Sequence, residues 1–208
     1  MSHLEAILRS DLKPKEKQTK LLEAVCSEKI TDAEFMEFFV AANDTDKGAC
    51  ADVLEYVCEK RPELLALHID LLITYINYKS PKVKWGVPKA IGNMAKKYPD
   101  EAAKAVPNLL KNAVESKENT TVIRWCAAYG LAEIAKNSKK AQTELIPRMT
   151  ELAKKETNNG VRNVYLKALK SIEKQLDDML KNSELTEEDA MTIGKKIKKG
   201  MQKRHLEK

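Results

Sequence analysis

An all-α fold is what this chain of 208 residues predicts, on three observations. Lys, Glu, Ala and Leu dominate while glycine and proline stand at seven each, a composition that suits helices. No stretch alternates apolar and polar residues with period two beyond a few positions, so strands have no pattern to form on. One apolar pattern returns four times with a period of about forty residues, the mark of stacked structural units.

Taken in order, "KEKQTKLLEAVCSEK" predicts one helix. "TDAEFMEFFVAAN" predicts another, opened by the capping box Thr31-x-x-Glu34. Together they read as a degenerate first unit, since a terminal unit must offer a polar outer side. The regular units follow. Leu54 and Val57, Ile91 and Met94, Leu131 and Ile134, and Leu169 and Ile172 form pairs whose first members lie 37, 40 and 38 residues apart. Four residues before each pair stands Cys50, Val87, Ala127 or Tyr165, which completes one helix face. Three residues earlier again come Lys47, Lys84, Arg124 and Arg162, a basic side chain near the start of each first helix.

A second apolar stripe follows each of the first three. It reads Ile69, Leu72, Ile73 and Ile76, then Val106, Leu109, Leu110 and Ala113, then Ile146, Met149 and Ala153. Pro107 and Pro147 take corresponding places in two of these second helices. "AANDTDKG" and "ESKENTT" are loops between units, and residues 158–181 supply a last first helix. Beyond it, Thr186 and the acids after it open a helix whose apolar stripe is Ala190, Ile193, Ile197 and Met201. Residues 186–201 are expected to dock as a C-terminal cap with the terminal "QKRHLEK" disordered, the alternative being a free basic arm for nucleic acid or an anionic membrane surface.

The period, the two-helix unit and the recurring pattern of Val, Arg or Lys, Ala and Leu resemble HEAT repeats over roughly residues 15–181. That resemblance implies a right-handed α-solenoid of about four to five helical hairpins over residues 1–181, with residues 182–208 as capping helix and basic tail.

Charge and cysteines narrow the function. Residues 195–208 hold seven of the 37 basic residues and one of the 31 acids, so the body before them carries thirty of each sign. A neutral body argues against a protein that coats DNA generally. Cys26, Cys50, Cys58 and Cys126 form no CxxC pair, and His3, His68 and His205 are isolated. They read as core thiols of a reducing cytoplasm, with no metal or other cofactor expected. No signal peptide and no membrane-spanning run is read, and a monomer is expected. Phosphate-binding loops, GxSxG and HExxH are not found, so the chain reads as a non-enzyme.

Two surfaces are candidates for binding. Aligned by the repeat, both tryptophans take one position, directly after the basic site. Trp85, Trp125 and Tyr129 are expected to form an aromatic stripe flanked by Lys84, Lys89, Arg124 and Arg162. Either the rings cover the seam between first helices, or they offer a platform to a protein or to DNA. This part also resembles the alkylpurine DNA glycosylases built from HEAT-like repeats. They use a tryptophan, an aspartate four residues later and an arginine about one repeat further on. Trp85 and Arg124 match in spacing, but Lys89 stands where the aspartate belongs, which implies a non-catalytic relative. The second surface is the concave face of the expected superhelix, with Tyr75, Asn108, Lys111 and Arg148 between the apolar stripes of the second helices. A protein or peptide bound there is the leading expectation, with DNA on the stripe the alternative.

Overall fold

A computed structural model describes residues 2–114 and 116–182, which hold eleven α-helices and one 3-10 helix and no strand. The chain divides into two compact units, residues 1–169 and residues 170–208. Among the described residues, the second unit contributes only the last part of α11 (Asn159–Asn182). The expected helix over 186–201 and the basic tail lie outside the described residues.

α1 (His3–Arg9) precedes the helices read from periodicity, and its start is legible in the sequence after all. Ser2 accepts from the Glu5 amide and Glu5 accepts from the Ser2 amide, a reciprocal capping box. α2 spans Pro14–Cys26 with its proline at the start, where the missing N–H is harmless. α3 (Asp32–Ala41) shows half of the expected capping box: the Thr31 hydroxyl accepts from the Glu34 amide at 3.2 Å, without the return bond from the Thr31 amide to the Glu34 carboxylate.

The first helices of the three regular units are α4 (Asp44–Lys60), α6 (Pro81–Met94) and α9 (Thr121–Asn137). In residues 1–169, α2 packs on α4, α4 on α6 and α6 on α9. Their stripes form the core: Cys50, Leu54 and Val57, then Val87, Ile91 and Met94, then Ala127, Leu131 and Ile134 are fully buried, as is Tyr165 at the start of the fourth. Glycine lets these helices approach closely. A Cβ at Gly86 would stand 2.3 Å from the Ala51 carbonyl oxygen, and one at Gly130 would stand 2.9 Å from that of Pro88. α6 runs on through Pro88.

The second helices differ from one another. In the first unit the chain passes through a 3-10 helix (Pro62–His68) before α5 (Ile69–Tyr75), and in the second through α7 (Pro99–Ala103) before α8 (Val106–Ala113). Only the third, α10 (Lys139–Lys155), is continuous. Pro107 therefore sits in the first turn of α8, whereas Pro147 lies inside α10. The α10 stripe also turns by one residue, since Leu145, not Ile146, is buried with Met149 and Ala153.

Hydrogen bonds between units recur at nearly one repeat of separation. Lys89 reaches Glu55 and Lys104 reaches Asp70, each 34 residues back. Asn112 donates to the Ile76 carbonyl 36 residues back. Each unit thus leans on the one before it.

Candidate binding surfaces

The aromatic stripe is only partly assembled. Trp125 and Tyr129 stack with ring centroids 5.8 Å apart and planes 16° from parallel, and Trp125 is 38 % exposed. The Tyr129 hydroxyl donates to Asn93 Oδ1 at 2.6 Å, and Asn93 donates to the Glu55 carbonyl at 3.0 Å, so α4, α6 and α9 are laced together under the rings. Trp85 is half-buried, and its buried indole N–H has no hydrogen-bond partner among the described residues.

The basic residues expected to flank the rings behave differently from one another. Arg124 is 4 % exposed: its Nε and one terminal nitrogen donate to Glu156 at 2.9 and 3.0 Å, and the other terminal nitrogen donates to the Asn119 carbonyl at 3.0 Å. Its guanidinium therefore turns inward and ties the α8–α9 loop to the α10–α11 turn, away from any partner on the surface. Lys89 is half-buried and paired with Glu55. Arg162, half-buried, bonds Asn159, while Lys84 is half-buried on α6. The surroundings are acidic: burial first, then the carboxylates of Glu133, Glu59 and Glu55, push the Tyr129 hydroxyl up to about 12.

Of the four residues expected on the concave face, the structure brings two together. Lys111 and Arg148 line a groove of about 620 Å³ between α8 and α10. One wall presents Pro107, Leu110, Lys111 and Val114, at helical positions i, i+3, i+4 and i+7. The facing wall presents Arg148, Glu151, Leu152 and Lys155 at the same spacing. The Arg124–Glu156 pair closes one side, with Glu156 reaching the lining. Leu110, Leu152 and Val114 make the interior apolar, and Val114 is 55 % exposed. Glu151 lies 2.7 Å from Lys155 and 4.0 Å from Arg148.

Tyr75 and Asn108 lie elsewhere. Asn108 donates to the Ile73 carbonyl at 3.4 Å and so serves the α5–α8 seam. Tyr75 joins Phe39 and Tyr78 around Lys47, whose ammonium stands 5.2, 5.3 and 5.6 Å from the rings of Phe39, Tyr75 and Tyr78. Lys47 is 2 % exposed and donates to the Phe39 and Val40 carbonyls at the end of α3. Burial lowers its pKa.

Burial also settles the thiols. It pushes Cys50 and Cys126 up to about 12 and Cys58 higher still, so all three stay protonated and unreactive at neutral pH.

Among the described residues the fold is all-helical, with helices packed against one another within residues 1–169 and a groove between α8 and α10. No known family's profile matches this chain, and neither a curated protein nor a solved structure matches it.

Proposed function

We propose that this chain is a non-catalytic, monomeric binding module of the cytoplasm, a right-handed HEAT-like α-solenoid that takes a segment of a partner protein in the α8–α10 groove. The observation that carries the proposal is the groove itself, whose two walls each present a two-turn helical stripe with apolar residues inside and charges at the rim. Bonds repeated at 34 to 36 residues support the solenoid arrangement, because they join each unit only to its neighbour. The protonated thiols support a non-catalytic role. DNA on the aromatic stripe is the second reading. The inward Arg124, the paired Lys89 and the carboxylates around Tyr129 favour the groove over it, since phosphates need free cations.

The test is site-specific photo-crosslinking in cells, with p-benzoylphenylalanine replacing Val114 in the groove, Trp125 on the stripe or Leu67, an exposed apolar residue outside both. A discrete protein adduct at position 114 alone is expected. No adduct at 114, or an adduct at 125 alone, overturns the proposal.

A further inference from the structure

The groove also carries a statement about its occupant, which rests on the binding role just proposed. Each wall stripe covers seven residues of advance, about 10 Å at 1.5 Å per residue, so the groove accommodates roughly two helical turns. Its interior is apolar at Leu110, Val114 and Leu152. Among the described residues, Lys111, Arg148, Lys155 and the underlying Arg124 stand against Glu151 and Glu156, a surplus of two cations. Glu156 is committed to Arg124, and Glu151 is shared between Arg148 and Lys155. Lys111 is exposed and makes no ion pair among the described residues. The cations occupy both walls, Lys111 on α8 with Arg148 and Lys155 on α10, so a segment between them meets positive charge on both sides.

We infer that the groove recognises an acidic amphipathic helix of a partner protein, with two leucine-like side chains seated on Leu110, Val114 and Leu152 and flanking carboxylates facing Lys111 and Arg148. The apolar interior selects a peptide over a nucleic acid, because a phosphate backbone has nothing to place on Leu110 and Leu152. The surplus charge selects the sign of the peptide: a lysine-flanked helix would set cations against both walls.

Three fluorescent 15-residue amphipathic peptides test this, sharing leucines at i and i+4 and differing only in Glu, Gln or Lys at the flanking positions. Anisotropy with the full chain is expected to show the Glu peptide binding at least about tenfold more tightly than the Gln peptide, with the Lys peptide weaker still. The variant K111E/R148E changes two exposed side chains. It is expected to keep the helical circular-dichroism spectrum and to reverse the order of the Glu and Lys peptides. Indifference to charge, failure of the Glu peptide to bind, or an unchanged order in K111E/R148E overturns the inference. So does a 20-base-pair duplex that binds at 150 mM salt and loses binding in that variant. The crosslinking at Val114 is a separate readout. An adduct there with no preference for the Glu peptide leaves the binding role standing and removes only this assignment.

Discussion

Arg124 and Glu156 form a two-point ion pair whose side chains are only 5 % and 4 % exposed. Such a pair returns little net stability when both members are present, because each charge has lost its water. Breaking it is another matter. Arg124→Met strands a buried carboxylate and Glu156→Gln weakens the hold on a buried guanidinium. Each single change is expected to lower the unfolding free energy, Arg124→Met by about 3–5 kcal/mol and Glu156→Gln by less. The double replacement R124M/E156L should cost less than the sum of R124M and E156L, and urea denaturation of all three gives the coupling directly. Additive losses would mean that the two side chains act independently.

The same pair shapes the acid limb of stability. Burial alone would raise the Glu156 carboxyl, but the bond from Arg124 and the backbone amides of Asn158 and Thr157 outweigh it and hold the group below its ordinary 4.5. A carboxyl depressed in the folded state stabilises above its unfolded pKa, and that contribution is lost as pH falls through the folded value. Asp46, held down chiefly by Arg9, and Asp32, held down chiefly by His68, act in the same sense. Asp52, raised by burial, opposes them. The urea midpoint should therefore hold above pH 5 and fall below about pH 4. In Glu156→Gln the fall should be shallower, and an unchanged slope would remove Glu156 from the acid limb.

Gly86 and Gly48 make a matched pair on the α4–α6 seam. A methyl at Gly86 meets the Ala51 carbonyl oxygen at 2.3 Å, backbone that has nowhere to go. One at Gly48 meets Lys82 Cβ and Cδ at 3.0 Å, a tight contact, but with a side chain rather than with backbone. Gly86→Ala is expected to destabilise by about 1–3 kcal/mol or more, because the two helices must part. Gly48→Ala should cost less, since alanine suits a helix by up to about 1 kcal/mol better than glycine and only the Lys82 side chain has to give way. Equal thermal midpoints for the two variants would contradict the close approach.

What the sequence made legible follows from where a periodic pattern meets full burial. The first helices were readable because Leu54, Ile91 and Leu131 each face a neighbour on both sides, so their stripe tolerates no polar residue. Second helices were readable only as stripes, and the breaks before α5 and α8 carry no periodic signal. In α10, either Leu145 or Ile146 satisfies the 3.6-residue turn, and packing alone decides that Leu145 faces inward. The ion pairs escaped for a different reason. Lys89 finds Glu55 34 residues back and Arg124 finds Glu156 32 residues on, distances that mean contact only once the stacking of units is known. Lys111 and Arg148 were visible as polar positions between stripes, whereas Leu152 and Lys155 joined them only when α8 and α10 were seen to face each other.

Lys47 is a buried cation in the first turn of α4, where a helix dipole disfavours it. Its ammonium is directed instead at two carbonyls ending α3, within reach of three aromatic rings. Lys47→Met keeps the length and the apolar stem but leaves those carbonyls without this donor, with an expected loss of about 1–3 kcal/mol. Amide hydrogen exchange should quicken at the end of α3 more than in α9. Unchanged exchange there would show that the lysine is held by its rings alone.

The stripe reading makes a sharp prediction about DNA. If Trp125 and its neighbours formed a nucleic-acid platform, binding would need cations beside the rings. Arg124 is turned onto Glu156, Lys89 is paired with Glu55, and three carboxylates bear on Tyr129. On α6 there remain half-buried Lys84 beside Trp85 and exposed Lys82 in the first turn, against a body with thirty charges of each sign. The net excess of positive charge belongs to residues 195–208, with seven basic residues and one acid. Retention of duplex DNA at low salt should therefore survive K84E/W125A and vanish when residues 195–208 are deleted, with a salt slope set by the tail's lysines. Binding that persists without the tail and weakens about threefold or more in K84E/W125A would restore the stripe as a nucleic-acid surface. Duplex titrations of the three proteins at 20, 50 and 150 mM salt decide between these outcomes, because a tail contact and a ring contact respond oppositely to the two changes.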